Sequence, residues 1–181
     1  MPKKKKTSRK PESGARRELL VLTIRELIDD YMYRIDLDAD YQREKVWSKN
    51  EQQLLLDSIV NDIDIPKLYL AKVYGNKQFD YECVDGKQRL ITLWNFFEPE
   101  KNDKSPLLID ILKRKYTFKQ LEKEHKNIAK AIENYKLDFV VYDQASLDEE
   151  FIRQIFRRLQ LGIRLNSGEI LNSQMGAMRD F

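Results

Sequence analysis

Two short apolar runs, Leu68 to Tyr74 and Gln78 to Val84, flank Gly75-Asn76-Lys77, and the second leads straight into Asp85-Gly86 and a helix-patterned stretch from Lys87 to Phe97. Glycine and asparagine tolerate the positive φ of a tight reversal, so the first junction predicts a hairpin turn. The second predicts a strand-to-helix turn. A chain with this succession at its centre needs a sheet and helices to cover it, which excludes a plain helical bundle.

The flanking elements fit that frame. Thr23 precedes Ile24, Leu27 and Ile28, with Glu26 three residues on, a capping box ahead of a short helix. Tyr31, Tyr33, Ile35 and Leu37 alternate, which predicts a half-buried strand over 31–38. Ser48 and Glu51 form a second capping box before a helix bearing Leu54, Leu55 and Ile59, and Ile65-Pro66 ends that segment. Residues 98–106 read as a loop, and 107–135 as mainly helical around a turn near Tyr116-Thr117. Leu137 to Tyr142 reads as a strand, Ser146 as the cap of a helix from about Leu147 to Leu161, and Asn166-Ser167 as the start of a last helix. That helix meets no stop signal before Phe181, as expected of a fragment that ends ahead of a downstream domain. The fold class expected is α/β (α+β). One mixed sheet is built from strands 31–38, 68–74, 78–84 and 137–142, with helices starting near 50 and 87 packed on it. Leu54, Ile59, Leu70, Val84, Leu90, Leu93 and Val140 are its expected core.

Composition narrows the chemistry. Cys83 is the only cysteine and His125 the only histidine, which excludes a disulfide scaffold and disfavours both a zinc site and a His-dependent nucleophile. No stretch approaches the ~20 apolar residues of a membrane span. A lone thiol and no secretory leader point to a reducing cytoplasm. Any reaction must therefore run on carboxylates, basic groups, amides and backbone N–H groups.

Charge is unevenly spread. Lys3, Lys4, Lys5, Lys6, Arg9, Lys10, Arg16 and Arg17 face only Glu12 and Glu18 in the first twenty residues, a net of +6, so the rest of the chain carries −3 of the overall +3. Residues 1–18 are expected to be a disordered basic tail suited to nonspecific contact with phosphates, and 19–181 one folded domain.

Three stretches carry candidate chemistry. In Val84-Asp85-Gly86-Lys87-Gln88-Arg89-Leu90, the glycine lets the backbone turn sharply and the next helix points its unpaired N–H groups into a cleft. Asp85 is placed to bind a metal or a hydroxyl, and Arg89 can fork onto phosphate. The alternative is an Asp cap followed by surface side chains. In Asp40-Tyr41-Gln42-Arg43-Glu44-Lys45-Val46-Trp47, Gln42 and Arg43 offer donors to an anion, while Tyr41 and Trp47 serve as pocket walls or as core anchors. Phe156 to Ile170 places Arg157, Arg158 and Arg164 at a glycine-containing corner, either a solvated face or the rim of a cleft.

Together these stretches resemble the DGQQR-motif family, the ParB/sulfiredoxin-like N-terminal domain of GmrSD-type, modification-dependent restriction proteins. The likeness runs over about residues 20–178. Lys87 replaces the first glutamine of the motif, and Gln160 stands where the corner usually has asparagine.

The resemblance implies a ParB/sulfiredoxin-like small mixed sheet with packed helices and a helical C-terminal part, holding a nucleoside triphosphate and Mg²⁺ at the strand-to-helix turn. It implies that Gly86 and Lys87 cradle phosphates, that Gln42 and Arg43 bind and orient them with Gln88 and Arg89, and that Asp85 holds the metal or orients water. Asp85, Gln88 and Arg89 are then the catalytic candidates. It also implies DNA as a target and a downstream nuclease domain as partner. The reading is a nucleotide-binding sensor domain of a DNA-targeting restriction or antiphage defence protein, with triphosphate hydrolysis left open. The alternatives are a nucleic-acid-binding module using the same arginines and the tail, and a structural adaptor.

Overall fold

The computed structural model describes residues 17–38, 46–76, 78–102 and 104–143, together with Arg157 and Leu159. Its main element is a five-stranded mixed sheet in the order β1-β7-β3-β4-β2, formed by β1 (Arg17–Thr23), β2 (Ile35–Asp36), β3 (Leu68–Lys72), β4 (Tyr81–Asp85) and β7 (Lys136–Asp143). Strand β7 runs antiparallel to β1 and parallel to β3, and β4 runs antiparallel to β3 and parallel to β2. A two-stranded hairpin, β5 (Ile109–Ile111) and β6 (Arg114–Tyr116), stands apart from it. The α+β class expected from the sequence is the one observed.

One face of the sheet carries Leu22, Leu68, Leu70, Cys83, Leu137, Phe139 and Val141 into the core. Helices α2 (Lys49–Val60) and α3 (Lys87–Phe97) pack there through Leu55, Leu56 and Ile59, and through Leu90, Leu93, Phe96 and Phe97. Helices α4 (Phe118–Glu124) and α5 (Lys126–Asn134) add Phe118, Leu121, Ala129 and Ile132. Each large side chain so buried is worth about 1.5–3 kcal/mol, and α2 and α4 begin at full capping boxes on Ser48 and Thr117. Of the expected core, Ile59, Leu70, Val84, Leu90, Leu93 and Val140 are buried. Leu54 is not. It is 66% exposed, because the helix presents Leu55, Leu56 and Ile59 inward and turns Leu54 to solvent.

Three expectations about local structure are corrected. The strand over 31–38 is mostly helical: α1 (Ile24–Glu26) continues through a π turn at Leu27–Tyr31 and a 3-10 turn at Met32–Arg34, leaving only Ile35–Asp36 as strand. Ile24, Leu27, Ile28, Met32 and Ile35 are all buried, and their helical spacing outweighs the alternation of Tyr31, Tyr33, Ile35 and Leu37. Residues 107–135 are not mainly helical before α4, since the β5–β6 hairpin occupies their first part. Strand β1 was not foreseen. It starts at Arg17, so the last two residues assigned to the tail belong to the sheet.

Gly75 has φ +79 in the connection between β3 and β4, as a turn requires. The tail before Arg17, the expected last helix, and most of the helix expected from Leu147 to Leu161 lie outside the described residues, although Arg157 and Leu159 are helical. No helix among the described residues is long and apolar enough to cross a membrane.

Candidate functional site at the β4–α3 turn

Strand β4 delivers Asp85 to the edge of the core, and the chain turns at Gly86 directly into α3. Gly86 has φ +103 and ψ 13, a left-handed conformation that a side chain disfavours. Packing forbids one as well: a Cβ there would lie 2.2 Å from Leu68 Cδ2 and 3.1 Å from Arg89 Nη2. The turn is thus pressed against the start of β3, where the β3–β4 register shifts between Tyr69 and Leu70.

Arg89 leans back over this turn, as its position one turn into the helix predicts. Its guanidinium points inward. Nη2 donates to Asp85 Oδ2 at 2.7 Å, while Nη1 donates to the carbonyls of Pro66 and, at 3.2 Å, of Lys67. Only 11% of the Arg89 side chain and 20% of the Asp85 side chain are exposed. Burial pushes the Asp85 carboxyl up from its ordinary value, against the downward pull of Arg89. The pair clamps the strand-to-helix turn onto the residues just before β3.

The neighbouring side chains face the other way along the turn. Gln88 is buried, and its Oε1 accepts the Trp47 backbone N–H at 3.1 Å. Lys87 buries most of its stem and reaches Asp38, Nζ to Oδ1 at 2.9 Å. Gln42 and Arg43 lie outside the described residues, between Asp38 and Trp47. Both flanks of the segment that carries them are therefore tied to the first turn of α3, one through Lys87 and one through Gln88.

Chemically, the turn offers the first N–H groups of α3, which have no carbonyl within the helix to bond, and the Lys87 ammonium. That set suits an anion. For a divalent cation the fit is thinner, because Asp85 has one oxygen committed to Arg89 and no group of three His, Cys, Asp or Glu gathers anywhere among the described residues. Mg²⁺ held chiefly by phosphates and water needs no such cage. Two cavities lie elsewhere. One of about 220 Å³ is lined by Arg17, Lys72, Tyr74 and Asp143, and one of about 530 Å³ by Val60, Asp62, Asn134 and Lys136; neither includes a residue of the turn. His125 is engaged with Tyr116, Nε2 to the hydroxyl at 3.2 Å.

Sequence reasoning missed four partners: Asp38, the Trp47 N–H and the carbonyls of Pro66 and Lys67. The nearest signal was the Ile65-Pro66 pair, whose proline marks a break before β3 but does not say what its carbonyl accepts.

No curated protein and no solved structure matches this chain. The model of the GmrSD restriction endonuclease N-terminal domain matches residues 24–176, from the start of α1 through the β4–α3 turn and beyond β7. With the match covering most of its length, the chain belongs to the GmrSD restriction endonuclease N-terminal domain family.

Proposed function

We propose that this restriction-family domain binds a nucleoside triphosphate with Mg²⁺ at the β4–α3 turn and serves as the nucleotide-dependent sensor of a protein that acts on DNA through a separate nuclease domain. The observation that carries this reading is the double tether: Lys87 to Asp38 and Gln88 to the Trp47 N–H. It brings both flanks of the Tyr41-Gln42-Arg43 stretch to the helix end best suited to phosphate. In this arrangement Gly86 and Lys87 cradle phosphate oxygens and Arg43 neutralises them with Gln42. Asp85 offers its second oxygen to water or to Mg²⁺. Arg89 acts through Asp85 as a positioning residue, and Gln88 through the Trp47 backbone. Hydrolysis at such a site is a matter of alignment and charge stabilisation, which needs neither His nor Cys.

Calorimetric titration with a nonhydrolysable triphosphate and Mg²⁺, paired with a phosphate-release assay on the natural one, tests the reading. Lys87→Ala and Arg43→Ala are each expected to weaken binding by about 1.5–3 kcal/mol, the scale of a charge-assisted hydrogen bond, with melting temperatures close to wild type. A protein that takes no triphosphate, yet binds DNA with an affinity lost on deleting residues 1–16, refutes it in favour of a nucleic-acid module.

A further inference from the structure

We infer that β1 is a self-pairing edge through which two copies of this chain join their sheets. The edge is open. β1 ends the strand order, and among the described residues its only strand partner is β7. The Ile24 N–H donates to the Tyr135 carbonyl, so the alternation of an antiparallel ladder turns the backbone groups of Glu18, Leu20 and Leu22 toward β7. Those of Arg17, Leu19, Val21 and Thr23 then point outward. Thr23 supports this assignment, because its N–H is taken by Glu26 Oε2 rather than by β7. Among the described residues, Leu19 and Val21 keep outward-facing backbone groups without such a cap.

The same two residues are also the apolar surface of the strand. Leu19 is 69% and Val21 54% exposed, although the sheet neighbour of Leu19, Val140, is buried. A long edge strand with exposed apolar residues, no proline and no lysine is a template for another strand.

The sequence of β1, Arg-Glu-Leu-Leu-Val-Leu-Thr, favours its own copy as that strand. In an antiparallel pair with its twofold axis at Leu20, Leu19 faces Val21 of the second copy, and Val21 faces Leu19. Four outward N–H and C=O exchanges are satisfied, and four exposed apolar side chains close into one cluster. Leu20 meets its counterpart, Glu18 faces Leu22, and no like charges stand opposite each other. Shifting the axis to Leu19 sets Val21 against Arg17. Shifting it to Val21 sets Leu19 against Thr23, whose N–H is already bonded. Of these three, only the Leu20 axis gives both exposed apolar residues, Leu19 and Val21, an apolar partner. A single strand pair covers far less than the roughly 1,200 Å² of a durable complex, so this dimer is weak and exchanges rapidly.

Sedimentation equilibrium of the whole chain, from about 10 µM to about 1 mM, should show a mass rising towards the dimer. Val21→Lys should hold it at the monomer without loss of thermal stability. The register is tested by cysteines, since the only native thiol, Cys83, is buried. Under mild oxidation Leu20→Cys should give a disulfide-linked dimer, and Glu18→Cys, set far from its counterpart, should give none. A wild-type monomer at every concentration overturns the proposal and leaves the edge to a strand from another protein. A Val21→Lys variant that still dimerises, or Glu18→Cys cross-linking as readily as Leu20→Cys, overturns it equally.

Discussion

Arg89 and Asp85, four residues apart across the Gly86 turn, form a largely buried ion pair at 2.7 Å whose arginine also holds the carbonyls of Pro66 and Lys67. One side chain thus ties the end of β4, the start of α3 and the approach to β3 into a single unit. Arg89→Ala removes all three ties and strands a largely buried carboxylate. Its expected cost is about 3–5 kcal/mol of folding stability, read as a lower denaturant midpoint at unchanged slope. Arg89→Lys keeps the charge but not the fork, and should recover less than half of that loss. A variant as stable as wild type would return Arg89 to a purely ligand-binding role.

The same pair sets a pH dependence. Burial raises the Asp85 carboxyl above its ordinary 3.8, so the folded state binds this proton more tightly than the unfolded chain does. The contribution is complete below about pH 3.8 and is lost as pH rises through the folded value. Asp85→Asn cannot titrate there. The stability of wild type relative to this variant should therefore fall as pH is raised from below 3.8, and the comparison by urea denaturation at several acid pH values has its sign fixed in advance.

Gly86 carries two separable constraints, its positive φ and the contact with Leu68. Gly86→Ala should destabilise by about 1–3 kcal/mol from backbone strain, with the Leu68 clash in addition. Adding Leu68→Ala relieves the clash and leaves the strain, so the double variant should lose less than the sum of the two single losses in thermal denaturation.

The β5–β6 hairpin turns through Leu112 and Lys113, at φ 52 and φ 63. Two positive φ values make this the kind of two-residue turn that favours Asn-Gly, and holding ordinary residues there costs roughly 1–2 kcal/mol each. Leu112 is 72% exposed, so replacing it sacrifices little packing. Leu112→Asn combined with Lys113→Gly should raise stability by about 1 kcal/mol, seen as a higher melting temperature.

This hairpin also shows where the sequence ceases to be legible. Leu-Lys gives no turn signal, so Ile109 to Tyr116 passed for helix, although tertiary contacts hold it as two strands. By contrast, Lys87 to Phe97 forms over the residues its apolar spacing predicts, bounded by a glycine that only a turn explains. The capping boxes at Thr23 and Ser48 were equally readable, because they are local chemistry. β1 was not, since its pairing with β7 is set by residues distant in the chain. At the site, sequence placed Asp85, Gly86, Lys87, Gln88 and Arg89 on one turn. It could not tell that Arg89 faces inward and Lys87 outward, because that choice depends on which carbonyls and carboxylates the fold brings near.

The strand order has a consequence for how the chain comes to be folded at all. β7 sits between β1 and β3, yet among the described strands it is the last to be synthesised. Until it emerges, β1 lacks the one strand partner it has among the described residues, and the centre of the sheet is missing. Translation from Thr23 to Lys136 takes on the order of ten seconds, during which an apolar edge waits in the open. Closing the parallel β3–β7 pair across the stretch from Lys72 to Lys136 is also entropically slow. The nascent chain is therefore vulnerable to misassembly at β1 until β7 has been made, and cellular yield should depend on chaperones that shield Leu19 to Leu22 until β7 arrives.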